Sequence, residues 1–131
     1  MNSDSSEPTI GKLERTLSQR IQALYRSVLG HQTSQALCNL LDKKLIVVIE
    51  NAITLPEVLL AESGQQDLAS QVRSQLESVL EVQLKSLIEE VLGVTVTDLL
   101  SDSTLETGRT ATIAILASAP KIRESKLKSK T

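Results

Sequence analysis

From Leu68 to Val91 the apolar residues Leu68, Val72, Leu76, Val79, Leu80, Leu84, Leu87, Ile88 and Val91 recur mostly at steps of three and four, and the run closes at Gly93. That is a single helical stripe with a glycine stop. At 1.5 Å per residue the helix is about 40 Å long. A chain of 131 residues fits one domain, and such a rod is longer than a domain of this size is wide. The rest of the chain must be an arrangement that covers one side of the rod. One end is expected to overhang or to pack on another subunit.

The remaining segments supply a sheet. Thr9 suits an N-cap, and Ile10, Leu13, Leu17, Ile21, Leu24 and Val28 form a second stripe that ends at Gly30. Residues 34–53 read as strand–turn–strand about the polar turn Asp42-Lys43-Lys44, and the second strand, Leu45 to Ile49, is rich in β-branched residues. Thr54-Leu55-Pro56-Glu57 has capping-box spacing and opens a short helix that Ser63-Gly64 interrupts. Ser63 and Gln66 repeat that spacing and are expected to cap the long helix. A third strand is expected over 94–100, a polar connection over 101–109, and a fourth strand over 110–116, where TATIAIL alternates with period two. The order α-ββ-αα-ββ implies an α+β fold. Two layers are expected, a four-stranded antiparallel sheet with the long helices packed on one face. A single domain over 9–118 would lie between a disordered leader, 1–8, and a basic disordered tail, 119–131.

Composition narrows the function. Tyr25 is the single aromatic residue, so the core is aliphatic and the stacking platforms of single-strand nucleic-acid binders lack their main component. The net charge of −2 divides unevenly: the tail after residue 118 holds Lys121, Arg123, Lys126, Lys128 and Lys130 against Glu124, and the body before it is acidic. An acidic body repels phosphate backbones, so nucleic acid is not expected as a partner. The tail allows peripheral contact with an anionic membrane at most. No signal peptide or membrane-spanning stretch is visible, and a cytoplasmic location is expected.

Reactive groupings are sparse. One His, one Cys and the adjacent Glu89-Glu90 offer no ligand set at metal spacing, and the five glycines form no phosphate-cradling loop. No cofactor, metal or catalytic residue is expected. Cys38 lies in an apolar stretch and reads as a core residue. His31, just past Gly30, suits a helix-end cap. The polar residues Glu50 and Asn51 end a strand, and Asp102 and Arg109 bracket a connection longer than a plain hairpin needs. Either these two close their own loop or the loop contacts something. His31, Glu50, Asp102 and Arg109 are the candidate binding residues.

The run IEEVLGVTVTDLLSDSTLETGRTATIAIL, 88–116, resembles the closing segment of the MpsC family: a helix ending at Gly93, a strand, Leu100-Ser101-Asp102, then Thr107-Gly108-Arg109 before the last strand. LIVVIENAITLPEVLL, 45–60, is similar to that family's strand and LTxxE helix start, with Glu50 and Glu57 matching. The resemblance covers about residues 10–118. Where many members carry a Gly-Arg-Gly-Pro-like motif, this chain has Gly30-His31-Gln32-Thr33, without the Arg and the Pro. The family name, that of one component of a sodium-translocating membrane-potential-generating system, implies assistance to a membrane system that moves ions and supports inorganic-carbon uptake. The leading expectation is therefore a non-enzymatic accessory or regulatory protein. It would self-associate as a homo-oligomer through helix faces and dock to another protein, such as a membrane transport subunit. The alternative is a small-molecule or anion sensor with a pocket between sheet and helices and Arg109, Asp102 or His31 at its mouth.

Overall fold

The computed structural model describes residues 7–30 and 35–123. Residues 1–6 of the expected leader, 124–131 of the expected tail, and His31 with the rest of the 31–34 segment lie outside the described residues. The first helix, α1, is Ile10–Leu29. It is capped by Thr9, whose Oγ1 accepts from the Lys12 N–H at 3.2 Å, and it stops where Gly30 takes a left-handed φ of 78°. Leu13, Leu17, Ile21 and Tyr25 bury one face at four-residue steps.

Strands β1, Gln35–Leu41, and β2, Lys44–Glu50, form an antiparallel hairpin in which Leu41 pairs with Lys44. Asp42 holds the turn at a φ of 58°, a region that Asp tolerates better than most residues. After β2 the chain enters helix α2, Leu55–Glu62, then helix α3, Gln66–Leu92, and returns as β3, Val96–Thr104, and β4, Arg109–Leu116. The sheet order is β1-β2-β4-β3 and every pairing is antiparallel, so β4 lies between β2 and β3 and joins the two hairpins. The helices cover one face of the sheet, which is the expected two-layer α+β architecture. α1 runs antiparallel to α3, with Arg20 reaching Glu90 at 3.1 Å near one end and Tyr25 beside Arg73 and Glu77 further along.

Between the layers lies an aliphatic core. Leu17, Ile21, Leu45, Val47, Ile49, Leu84 and Ile88 are all sealed from solvent, each contributing roughly 1.5–3 kcal/mol of burial. Past β4, Pro120 is buried, Ile122 packs on the core, and the Arg123 N–H donates to the Pro8 carbonyl at 2.8 Å.

Three expectations are corrected. Ser63 ends α2 and does not start α3. Gly64 is left-handed at φ 85°, and the N–H groups of Gly64 and Gln65 return to the carbonyls of Ala61 and Leu60, a Schellman closure. The N-cap of α3 is Gln65, with no side-chain cap bond. The stripe of α3 holds through Leu80, Leu84, Leu87 and Ile88. In its first half Ala69 and Arg73 turn inward, while Leu68 and Val79 are exposed. That half faces α2, whose Glu57 needs a cation, so the inward position goes to an arginine. Finally, β3 extends through Ser101, Asp102 and Ser103 to Thr104. The β3–β4 connection is the four residues Leu105-Glu106-Thr107-Gly108, and the 101–109 loop does not exist.

Candidate functional site

Sequence reasoning missed the most buried ionic group. The Thr54 hydroxyl accepts from the Glu57 N–H, and the Glu57 carboxylate turns back to accept from the Thr54 N–H at 3.1 Å and the Thr54 hydroxyl at 2.8 Å. This capping box fixes the Glu57 side chain, which is wholly buried, and α3 delivers Arg73 to it. Nε meets Oε2 at 2.7 Å and Nη2 meets Oε1 at 2.8 Å, a two-point pair, while Nη2 also donates to the Ala52 carbonyl at 2.9 Å. Nη1 of Arg73 is buried without a hydrogen-bond partner among the described residues. The signal lay in the sequence as the capping-box glutamate, but its partner sixteen residues on, one of several arginines, carried no mark.

Next to this pair the inner face of β3 and β4 is hydroxylated. Ser101 and Thr112 share a hydrogen bond of 2.7 Å, as do Ser103 and Thr110, and the Ser103 hydroxyl donates to Glu77 of α3 at 2.9 Å. Tyr25 faces the same region. Burial pushes its phenol up to about 12 against the opposing pull of the Arg73 guanidinium, and Glu77 and Glu81 add to the rise. Burial likewise raises the Cys38 thiol, with a bond from Ser18 opposing and Glu14 adding. Cys38 is a buried residue of β1, as its apolar setting implied.

The candidate residues fall apart from this group. Glu50 and Arg109, at the end of β2 and the start of β4, are brought together: Nε of Arg109 donates to both carboxylate oxygens, at 2.9 and 3.0 Å. Asp102 sits in mid-strand on the opposite face from the helices, paired in register with Ala111, and its carboxylate accepts from the Ser103 N–H at 2.9 Å. Asp102 and Arg109 therefore do not close a loop on each other; the loop expected to need closing is strand, and Arg109 is held by Glu50. His31 lies outside the described residues.

A cleft of about 880 Å³ opens where α2, the start of α3 and the β3–β4 turn meet, walled by Asn51, Ile53, Val58, Gln66, Thr104 and Gly108 among others. The Ala52 N–H to the Gly108 carbonyl, 2.8 Å, ties its two sides together, and a hydroxyl bond joins Thr104 to Thr107 within the turn. Neither Asp102 nor Arg109 lines it.

The larger feature is the outer face of the sheet. β4 turns Thr110, Thr112, Ala114 and Leu116 inward and Ala111, Ile113 and Ile115 outward, so its isoleucines face away from the core and its threonines toward it. On the same outer face lie Leu37 and Leu41 of β1, Ile46 and Val48 of β2, and Leu100 of β3, with Leu37, Leu41 and Leu100 each more than half exposed. Leu55 and Leu59, one turn apart on α2, are a second exposed apolar pair.

Among the described residues no three His, Cys, Asp or Glu side chains are grouped to hold a metal ion, and no helix is long and apolar enough to cross a membrane. No curated protein and no solved structure is significantly similar to this chain. Residues 9–118, running from the Thr9 cap past the end of β4, match the family described as the Na+-translocating membrane potential-generating system (MpsC), and the chain belongs to that family.

Proposed function

We propose that this protein is a non-enzymatic accessory or regulatory subunit that works by contact, self-associating and docking to a larger membrane-associated ion or inorganic-carbon transport assembly. The observation that carries it is aliphatic surface left outside the core, above all on the outer sheet face and at the Leu55–Leu59 pair of α2. Contiguous apolar surface of this kind is rare on a chain that acts alone. Two patches suit two contacts. Carboxylates that reach into the fold are committed to structure: Glu57 to Arg73, Glu14 to the Leu40 N–H and Glu89 to the Val96 N–H. The family's link to a sodium-translocating membrane system fits a subunit without its own membrane-spanning helix among the described residues. The test is affinity capture of the tagged full chain from native membranes. Stoichiometric recovery of an integral-membrane transport protein is expected, and its loss on Leu55→Asp/Leu59→Asp would place the docking at α2. Recovery of the chain alone refutes the reading.

The cleft beside the β3–β4 turn favours a second reading, a sensor of a small molecule or anion. A thermal-shift panel of nucleotides and bicarbonate tests it, with a rise in melting temperature expected for the true ligand; no shift across the panel retires it.

A further inference from the structure

The outer face of the sheet carries a charge pattern as well as an apolar band. Along β2, Lys44 stands at one end and Glu50 at the other, with Ile46 and Val48 between them. On the β4–β3 side the signs are exchanged: Asp98 of β3 lies at the Lys44 end, in register with Ile115, and Arg109 of β4 lies at the Glu50 end. The centre is Ile46, Val48, Ala111 and Ile113, flanked by Leu37 and Leu100.

A half-turn about an axis across the strands exchanges the two ends of every strand and leaves the strand order in place. Laid on itself in this way, the face sets Lys44 of one copy against Glu50 of the other, brings Asp98 diagonal to Arg109, and closes Ile46 on Val48 and Ile113 on Ala111. Asp102 of the edge strand β3 lands opposite Leu100 of the other copy, and its carboxylate turns outward over the open edge of the sheet to stay in water. The pattern is self-complementary, the property that an isologous interface requires.

Size agrees. Four strands at about 4.8 Å spacing and seven or eight residues at about 3.4 Å give a face on the order of 500 Å². Two such faces bury about 1,000 Å², the lower bound for a specific interface. An anionic lipid surface is a poorer match, because the face holds three acidic side chains, Glu50, Asp98 and Asp102, against two basic ones, Lys44 and Arg109.

We infer that two copies of this chain pair through the outer faces of their sheets, as an aligned two-sheet sandwich about a two-fold axis across the strands, with Lys44 of each copy on Glu50 of the other. The pairing rests on the proposal that the chain works by contact, and it moves self-association from the helix faces to the sheet. It also explains the phase of β4, whose outward isoleucines are then core residues of the pair.

The experiment is sedimentation equilibrium on the full chain, with far-ultraviolet circular dichroism to confirm folding of each variant. The wild-type chain is expected to be a dimer at high micromolar concentration. Ile113→Lys, Lys44→Glu and Glu50→Lys should each stay folded and weaken the dimer by roughly a hundredfold, because like charges or an unpaired charge then meet across the seam. Mixing Lys44→Glu with Glu50→Lys should restore a one-to-one heterodimer, since both of its cross-seam contacts then join opposite charges, whereas each variant homodimer sets like charges together at both. A wild-type chain that is monomeric at that concentration overturns the inference. So does a dimer indifferent to Ile113→Lys and to the charge exchange, which would mean another surface is used. Capture of a membrane protein by a monomeric chain leaves the contact proposal standing, and a sheet-to-sheet dimer that captures nothing leaves the pairing standing without it.

Discussion

Arg73 and Glu57 show how one buried pair ties three segments together: the Ala52 carbonyl after β2, the first turn of α2, and the middle of the first half of α3. Burying both charges is costly, but breaking such a pair costs about 3–5 kcal/mol because the survivor is left uncompensated. Arg73→Met should therefore lower the denaturant midpoint of unfolding sharply. Arg73→Met with Glu57→Gln should recover a good part of that loss, read in the same urea titration. Arg73→Met alone being as stable as the double variant would contradict the geometry. Tyr25 gives a prediction in pH. Its phenol is raised from 10.0 to about 12, so the folded chain favours the neutral form. That contribution to stability is whole below pH 10 and is lost as pH rises through about 12. As the only aromatic side chain, Tyr25 gives a clean phenolate absorbance titration, which should show a midpoint near 12 in the native protein and near 10 in denaturant.

At the scale of elements, the helices end where their backbones demand glycine. Gly93 closes α3 at a φ of 69°, with its N–H on the Glu89 carbonyl at 2.8 Å, and Glu89 reaches on to the Val96 N–H at the start of β3. An added Cβ meets nothing within 4 Å, so the cost of Gly93→Ala is conformational alone, about 1 kcal/mol, visible as a drop of a few degrees in melting temperature. Thr54→Ala should cost about 1–2 kcal/mol by the same measurement, since the Thr54 hydroxyl both caps α2 and donates to Glu57. These signals were legible: Thr9, Gly30, Thr54, Glu57 and Gly93 mark their elements in the sequence as they do in the structure. The end of α2 was not, because Ser63 followed by Gln66 has the spacing of a cap whether or not the backbone there is turning left-handed at Gly64. The reach of β3 was not, because Ser101-Asp102-Ser103 is polar on both faces: its inner hydroxyls are satisfied by Thr110, Thr112 and Glu77, which lie elsewhere in the chain.

For the molecule as a whole, the helical layer covers one side of the sheet and leaves the other side aliphatic. A chain completed by a second copy gains stability by mass action, so its melting temperature should rise with protein concentration. A scan over a hundredfold range checks this, and Ile113→Lys should abolish the dependence. α2 packs on the first half of the long helix through Glu57, and the apolar residues left exposed on this side are Leu68, Val79 and Val82 on α3 and Leu55 and Leu59 on α2.

By itself the sequence determined the element types, their order and most of their ends, because periodicity, caps and glycines act over a few neighbouring residues. It also determined an aliphatic core, there being one aromatic side chain to place. Only the tertiary structure decided which phase of each strand faces the helices. Period two is the same read from either side, so TATIAIL does not say that Thr110 and Thr112 are inside and Ile113 outside. The partners of Arg73, Arg109 and Ser103 were decided in the same way. Each lies sixteen or more residues from the carboxylate it meets, and only the packing of α2 on α3, the pairing of β2 with β4 and the seating of α3 on the sheet bring them within hydrogen-bond reach.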